Sequence, residues 1–127
     1  MRAAADAVGA GELAQADHRA TVHNPLCGDR ISVGLRLDSD GRVAVMGHAT
    51  RACLLCQAAA SVLAATIGGH DAQALAALPA RLEGALNGEA WPADWPGFDI
   101  FAPVRQAPSR FTCVLLPARA VAQAVGG

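Results

Sequence analysis

Tyrosine and lysine are both missing from this 127-residue chain, and aromatic residues make up only 4% of it. With so few rings, the core has to be aliphatic. The hydrophobic fraction is 53%, much of it alanine. That combination predicts a small core of thin, closely packed helices in one domain of ordinary size. An excess of either charge is also missing. The net charge of −1 leaves no electrostatic case for nucleic-acid binding, although all ten basic residues are arginine. No apolar run approaches the roughly 20 residues needed to span a bilayer. The opening "MRAAADAVGAGELAQAD" is interrupted by Asp6 and Glu12 and lacks the apolar stretch of a secretory signal. The expectation is a soluble, cytoplasmic protein. Thiols stay reduced there, so the four cysteines point to metal or sulfur chemistry rather than to disulfides.

The local patterns place strands before helices. Residues 1–17 read as a weakly helical lead-in. "HRATVHN" (18–24) alternates as an edge strand should. In "RISVGLRLDSDGRVAVMGHA", Ile31, Val33, Leu35 and Leu37 recur at the period of a half-buried strand. Asp38, Ser39, Asp40 and Gly41 supply turn chemistry, so the segment reads as a β-hairpin. From Cys53 the composition turns helical and runs to Gly68–Gly69, a stop signal. Asp71 is an N-cap candidate for a second helix ending near Asn87, with Pro79 set to kink or split it. "GEAWPADWPG" (88–97) is a loop. Residues 98–112 predict a short helix followed by an extended approach, and "CVLLPARAVAQAVGG" a last helix with Pro117 in its first turn. The implied class is α+β: a small three-stranded antiparallel sheet with helices packed on one face.

The stretch "NPLCGDRI" (24–31) is poorly built for packing and well built for presenting a thiol and a carboxylate from one tight loop. Cys53 and Cys113 each stand where a helix is expected to begin. A helix N-terminus favours the thiolate, the form that binds metal and attacks sulfur. Three thiolates with Asp29 suit tetrahedral zinc or an iron–sulfur cluster. Spacing alone leaves Cys27 open between a ligand and an ordinary loop thiol. The single C-x-x-C, Cys53–Cys56, has no second pair and is no zinc ribbon; Cys56 can join a site or simply pack.

With these pieces in order, the chain resembles the IscU/NifU N-terminal-type iron–sulfur scaffold family over residues 11–125. The matching segments are "NPLCGDRI", "RACLLCQAAASVLA" (51–64) and "APSRFTCVLLPARAV" (107–121). The resemblance implies a cluster or metal held on three cysteines and an aspartate, which by position are Cys27, Asp29, Cys53 and Cys113. The 60 positions from Cys53 to Cys113 are similar to the SufU-like subtype, which has an insertion there; here residues 88–106, with Trp91 and Trp95, would form it. Thr112 stands where IscU-like chains have histidine. Gln106-Ala107-Pro108-Ser109-Arg110 replaces the L-P-P-V-K segment, so docking of an Hsp70-type chaperone is not implied.

Two chemistries follow from the resemblance. In one, a 2Fe-2S cluster is assembled on the four residues and passed to recipient iron–sulfur proteins. In the other, zinc (Zn2+) occupies them and Cys27 accepts sulfur from a cysteine desulfurase. A metal-stapled interaction module is the third reading. Cys56, His48 on the strand leading to Cys53, and Arg110 three residues before Cys113 are candidate accessory groups. His18, His23 and His70 read as surface or strand histidines, and the two tryptophans as caps on the core or a partner patch.

Overall fold

The computed structural model describes residues 16–24 and 28–126. The expected helical lead-in lies, apart from Ala16 and Asp17, outside the described residues. Asp17 is not helical: its N–H donates to the Leu35 carbonyl at 2.7 Å, and its carboxylate accepts from the Leu37 N–H.

Three strands form one antiparallel sheet in the order β1 (His18–Asn24), β2 (Asp29–Leu37), β3 (Val43–Arg51). The alternation that predicted these strands sorts their side chains by face. Ile31, Val33, Leu35, Met46 and His48 are buried on the inner face. Arg19, Thr21, Arg30, Arg36, Val45 and Arg51 are exposed on the outer one. The β2–β3 turn is organised by Asp38, whose carboxylate accepts from the N–H groups of Asp40 and Arg42, with Gly41 at φ 79°.

Helices α1 (Leu54–Thr66) and α3 (Phe111–Gly126) pack on the sheet, and α2 (Ala72–Leu86) packs on α3. Helix α3 touches β1, β2, α1 and α2. It is apolar nearly all round, with Val114, Leu115, Leu116, Ala118, Ala120, Val121 and Ala124 buried, as a central helix must be. Buried alanines at 59, 60, 118, 120 and 124 allow the close approach that the composition predicted. Asp71 caps α2 by accepting from the Ala74 N–H at 2.9 Å, a contact worth about 1 kcal/mol.

Three expectations are corrected. Pro79 does not split α2, which runs on from Ala72 to Leu86. Burial of Leu75, Leu78 and Leu82 at about 2–3 kcal/mol each exceeds the ~3 kcal/mol cost of an interior proline. The extended approach to the last helix is absent. Residues Phe98–Gln106 and Pro108–Arg110 are 3₁₀ turns instead. Phe98 and Phe101, three apart, eclipse on one side of a 3₁₀ turn, and both are buried. The last helix starts at Phe111, earlier than expected, so Pro117 stands in its interior and Cys113 in its first turn.

The long connection between α2 and α3 is pinned at several points. The Arg81 guanidinium makes two hydrogen bonds to the Asp94 carboxylate, at 3.0 and 2.8 Å, and holds it at about 2, below its ordinary 3.8. Arg105 donates to the Ala85 and Glu89 carbonyls and lies 5.1 Å from the Trp91 ring centre. Trp95 is buried against the core and stacks on His70 at 3.7 Å.

Candidate metal centre

The sheet and two helices converge at one end. Asn24 closes β1 and is paired with Asp29, which opens β2. The Gly28 N–H donates to the Asn24 carbonyl at 2.9 Å, which holds the start of β2 against the end of β1. Gly28 has φ 73°, a conformation that costs an L-residue about 1–2 kcal/mol, so glycine is the residue that fits. Asp29 is half-buried at this corner.

Cys53 follows β3 and caps α1 in an extended conformation, with no side-chain capping bond and its side chain exposed. Its carbonyl accepts from the Gln57 N–H, and Gln57 reaches back to the Ala52 carbonyl, which ties the β3–α1 junction down. Cys113 lies half-buried in the first turn of α3. Proline has no N–H, so Pro117 cannot supply the helical bond that a residue four positions on would give the Cys113 carbonyl.

The donor atoms of Asp29, Cys53 and Cys113 all lie within 4.8 Å of one another. Zn–S bonds of about 2.3 Å in a tetrahedron put neighbouring donors ~3.8 Å apart, so ordinary side-chain rotation closes the difference. The ends of α1 and α3 that meet here are both N-terminal. The helix dipoles favour negative charge there by about 0.3–1 kcal/mol per helix. Two sulfurs and a carboxylate in such a place suit a soft or borderline cation.

Cys27, two residues before Asp29, lies outside the described residues. Two accessory candidates, Cys56 and His48, are not in the group. Cys56 is wholly buried in the core. His48 is buried on the inner sheet face, its Nδ1 3.0 Å from the Thr50 hydroxyl. Arg110 is exposed on the 3₁₀ turn before α3. The reading of His70 as a surface or strand residue missed its role. It is half-buried, with Nδ1 and Nε2 next to the Ile67 and Asp94 carbonyls, and it fastens the long connection to the α1–α2 turn. Its nearness in sequence to Asp71 gave no hint, because its partner tryptophan is 25 positions away.

Residues 5–88 match the model of the NifU-like N-terminal domain. The chain belongs to that family. A crystal structure of a nitrogen-fixing NifU-like protein (N-terminal) from Brucella abortus is 35% identical, covers 98% of this chain and 88% of its own, and superposes with a TM-score of 0.86. The same fold occurs in a crystal structure of a hypothetical protein, 23% identical over 100% of this chain and 96% of that one, with a TM-score of 0.84. It recurs in the putative iron–sulfur cluster assembly scaffold protein for the SUF system of Fervidobacterium islandicum, 22% identical over 98% and 95%, with a TM-score of 0.80. No curated protein matches the chain. The NifU-like family match includes Asp29 and Cys53 and stops before Cys113; the place of Cys113 beside them comes from the packing of α3. None of the described helices is long and apolar enough to cross a membrane.

Proposed function

We propose that this chain is an iron–sulfur cluster assembly scaffold whose cargo, a 2Fe-2S cluster, is held by Cys27, Asp29, Cys53 and Cys113 and handed to recipient proteins. One observation carries the reading. Three of these residues, far apart in sequence, bring their donor atoms within 4.8 Å of one another at the edge of the molecule. The exposure of Cys53 suits a site that must load and unload. Asp29 supplies the weak corner, since a carboxylate is a harder and poorer ligand for cluster iron than a thiolate. The Asp29→Ala variant, loaded anaerobically with iron and sulfide, should transfer its cluster to an apo-ferredoxin more slowly than wild type. Equal rates would remove the labile-ligand role.

The two thiols and the carboxylate gathered here also suit a second reading, in which zinc occupies the site and the chain accepts sulfur from a cysteine desulfurase. The Cys27 thiolate would attack the terminal sulfur of the donor persulfide. The new Cys27 S–S bond forms as the donor's S–S bond breaks, and the donor cysteine leaves as a thiolate. Gly28 gives the acceptor's loop conformational freedom; a Cβ there would meet nothing within 4 Å. Radiolabelled sulfur trapped on Cys113 and absent from Cys27 would contradict this assignment. Anaerobic reconstitution separates the two readings by colour: brown for a cluster, colourless with one bound zinc otherwise. A metal that binds tightly with neither cluster nor sulfur transfer would leave the interaction-module reading.

A further inference from the structure

The outer face of the sheet carries no carboxylate on any of its three strands. Asp29 is the only acidic residue in β1, β2 or β3, and it opens β2 on the inner side, next to the cysteines. Arg19, Arg30, Arg36 and Arg51 stand on the outer face with His23. At its metal-site end the register sets His23 opposite Arg30, and Arg30 opposite Arg51, in one row across all three strands. All three side chains are exposed. None makes a hydrogen bond or ion pair with a described residue. Like charges directly opposed across a strand pair destabilise it. The row is therefore a local cost to this sheet that no described contact offsets.

Among the described residues, the surroundings leave the row open. The next residues along the same face are Thr21, Ser32 and Ala49, followed by Gly34 and Gly47. Thr21, Ser32, Gly34 and Gly47, with Arg19 beside them, line a shallow depression of about 150 Å³. Arg30 directly follows Asp29, and Arg51 comes two residues before Cys53, so a body seated on the row borders the metal centre.

We infer that the row His23–Arg30–Arg51 docks an acidic protein surface, that of the partner exchanging sulfur or cluster at the adjoining centre. The identity of that exchange rests on the function proposed above; the charge complementarity does not. Arginine forks pair with two carboxylate oxygens at once, which suits Asp and Glu side chains on a folded partner. A nucleic-acid strand is a poorer fit, because it needs a broad basic surface and the whole chain is slightly acidic.

The test uses a fluorescein-labelled decaglutamate peptide as a defined acidic probe, read by anisotropy at low salt. The Arg30→Gln/Arg51→Gln double variant should bind it roughly tenfold more weakly than wild type. Arg119→Gln, on exposed α3 surface, should bind it as wild type does. Equal binding by the double variant, an equal loss in Arg119→Gln, full displacement by millimolar inorganic phosphate, or tighter binding of a single-stranded oligonucleotide would each overturn the inference. A second variant, Arg51→Glu, turns the opposed pair attractive; it should melt higher than wild type while losing the peptide. A lower melting temperature would show that the row is not the strained element described here. Metal content, measured on the same double variant, should match wild type. Docking and metal binding can thus fail separately.

Discussion

A metal at the proposed centre would tie the start of β2 to the first turns of α1 and α3, and its removal should be visible as lost thermal stability. At a free concentration a thousandfold above its dissociation constant, a ligand specific to the folded state adds about 4.1 kcal/mol. An unfolding entropy of ~2.1 cal/mol/K per residue gives ~0.27 kcal/mol/K for the 127 residues. The melting temperature should then rise by about 15 °C on adding zinc to chelator-treated protein. Loss of one of four donors should weaken binding at least ~100-fold, or about 2.7 kcal/mol. At the same zinc concentration Asp29→Ala and Cys53→Ser would keep only ~1.4 kcal/mol, or about 5 °C. Cys56→Ser is the control. Its thiol is buried in the core, so a hydroxyl there should lower the metal-free midpoint by about 1–2 kcal/mol and leave the zinc increment intact. Differential scanning calorimetry with and without zinc reads all four proteins. An undiminished increment in Asp29→Ala and Cys53→Ser, or its loss in Cys56→Ser, would refute the ligand set.

Other outcomes follow from the same structure. Gly28→Ala should cost about 1–2 kcal/mol by calorimetry, since the penalty is in the backbone at φ 73° and not in crowding; Gly28→Asn should cost less. The Arg81–Asp94 pair depresses the Asp94 carboxyl to about 2, so its stabilisation is complete above 3.8 and is lost as pH falls through about 2. Both side chains are about half exposed, at 42% and 55%, so the pair is worth only ~0.5–1 kcal/mol. Arg81→Gln should return the Asp94 titration to the ordinary carboxylate range by NMR. Arg105→Ala removes two hydrogen bonds and a contact with the Trp91 ring; it should lower stability by about 2–3 kcal/mol and speed amide exchange over residues 88–97.

The sheet was legible because its signals are local. Alternating Ile31, Val33 and Leu35, and the Asp38–Gly41 turn, each act through neighbours a few residues away. The same holds for α1 and α2, whose ends carry Gly69 at φ 87° and the Asp71 cap. The errors fall where burial overrides local preference. Pro79 read as a breaker and Pro117 as a first-turn residue, yet both lie inside helices whose leucines are buried. Residues 98–110 offered no clean period, because a three-residue repeat marked by Phe98 and Phe101 is too short to stand out. The site was legible in kind, since the cysteine types, Asp29 and the glycine between Cys27 and Asp29 announce themselves in "NPLCGDRI". Its assembly came from the family resemblance and not from the spacing of the residues. Only the packing of α3 against β1, β2 and α1 carries Cys113 to Asp29 and Cys53, and sequence spacing holds no trace of that contact.

X-ray absorption on the zinc-loaded chain addresses the ligand set most directly. Three sulfur scatterers near 2.3 Å and one oxygen near 2.0–2.2 Å are predicted, with one sulfur lost in Cys27→Ser. Four sulfurs, which would bring in Cys56, or a shell of nitrogen and oxygen alone would contradict the centre described here.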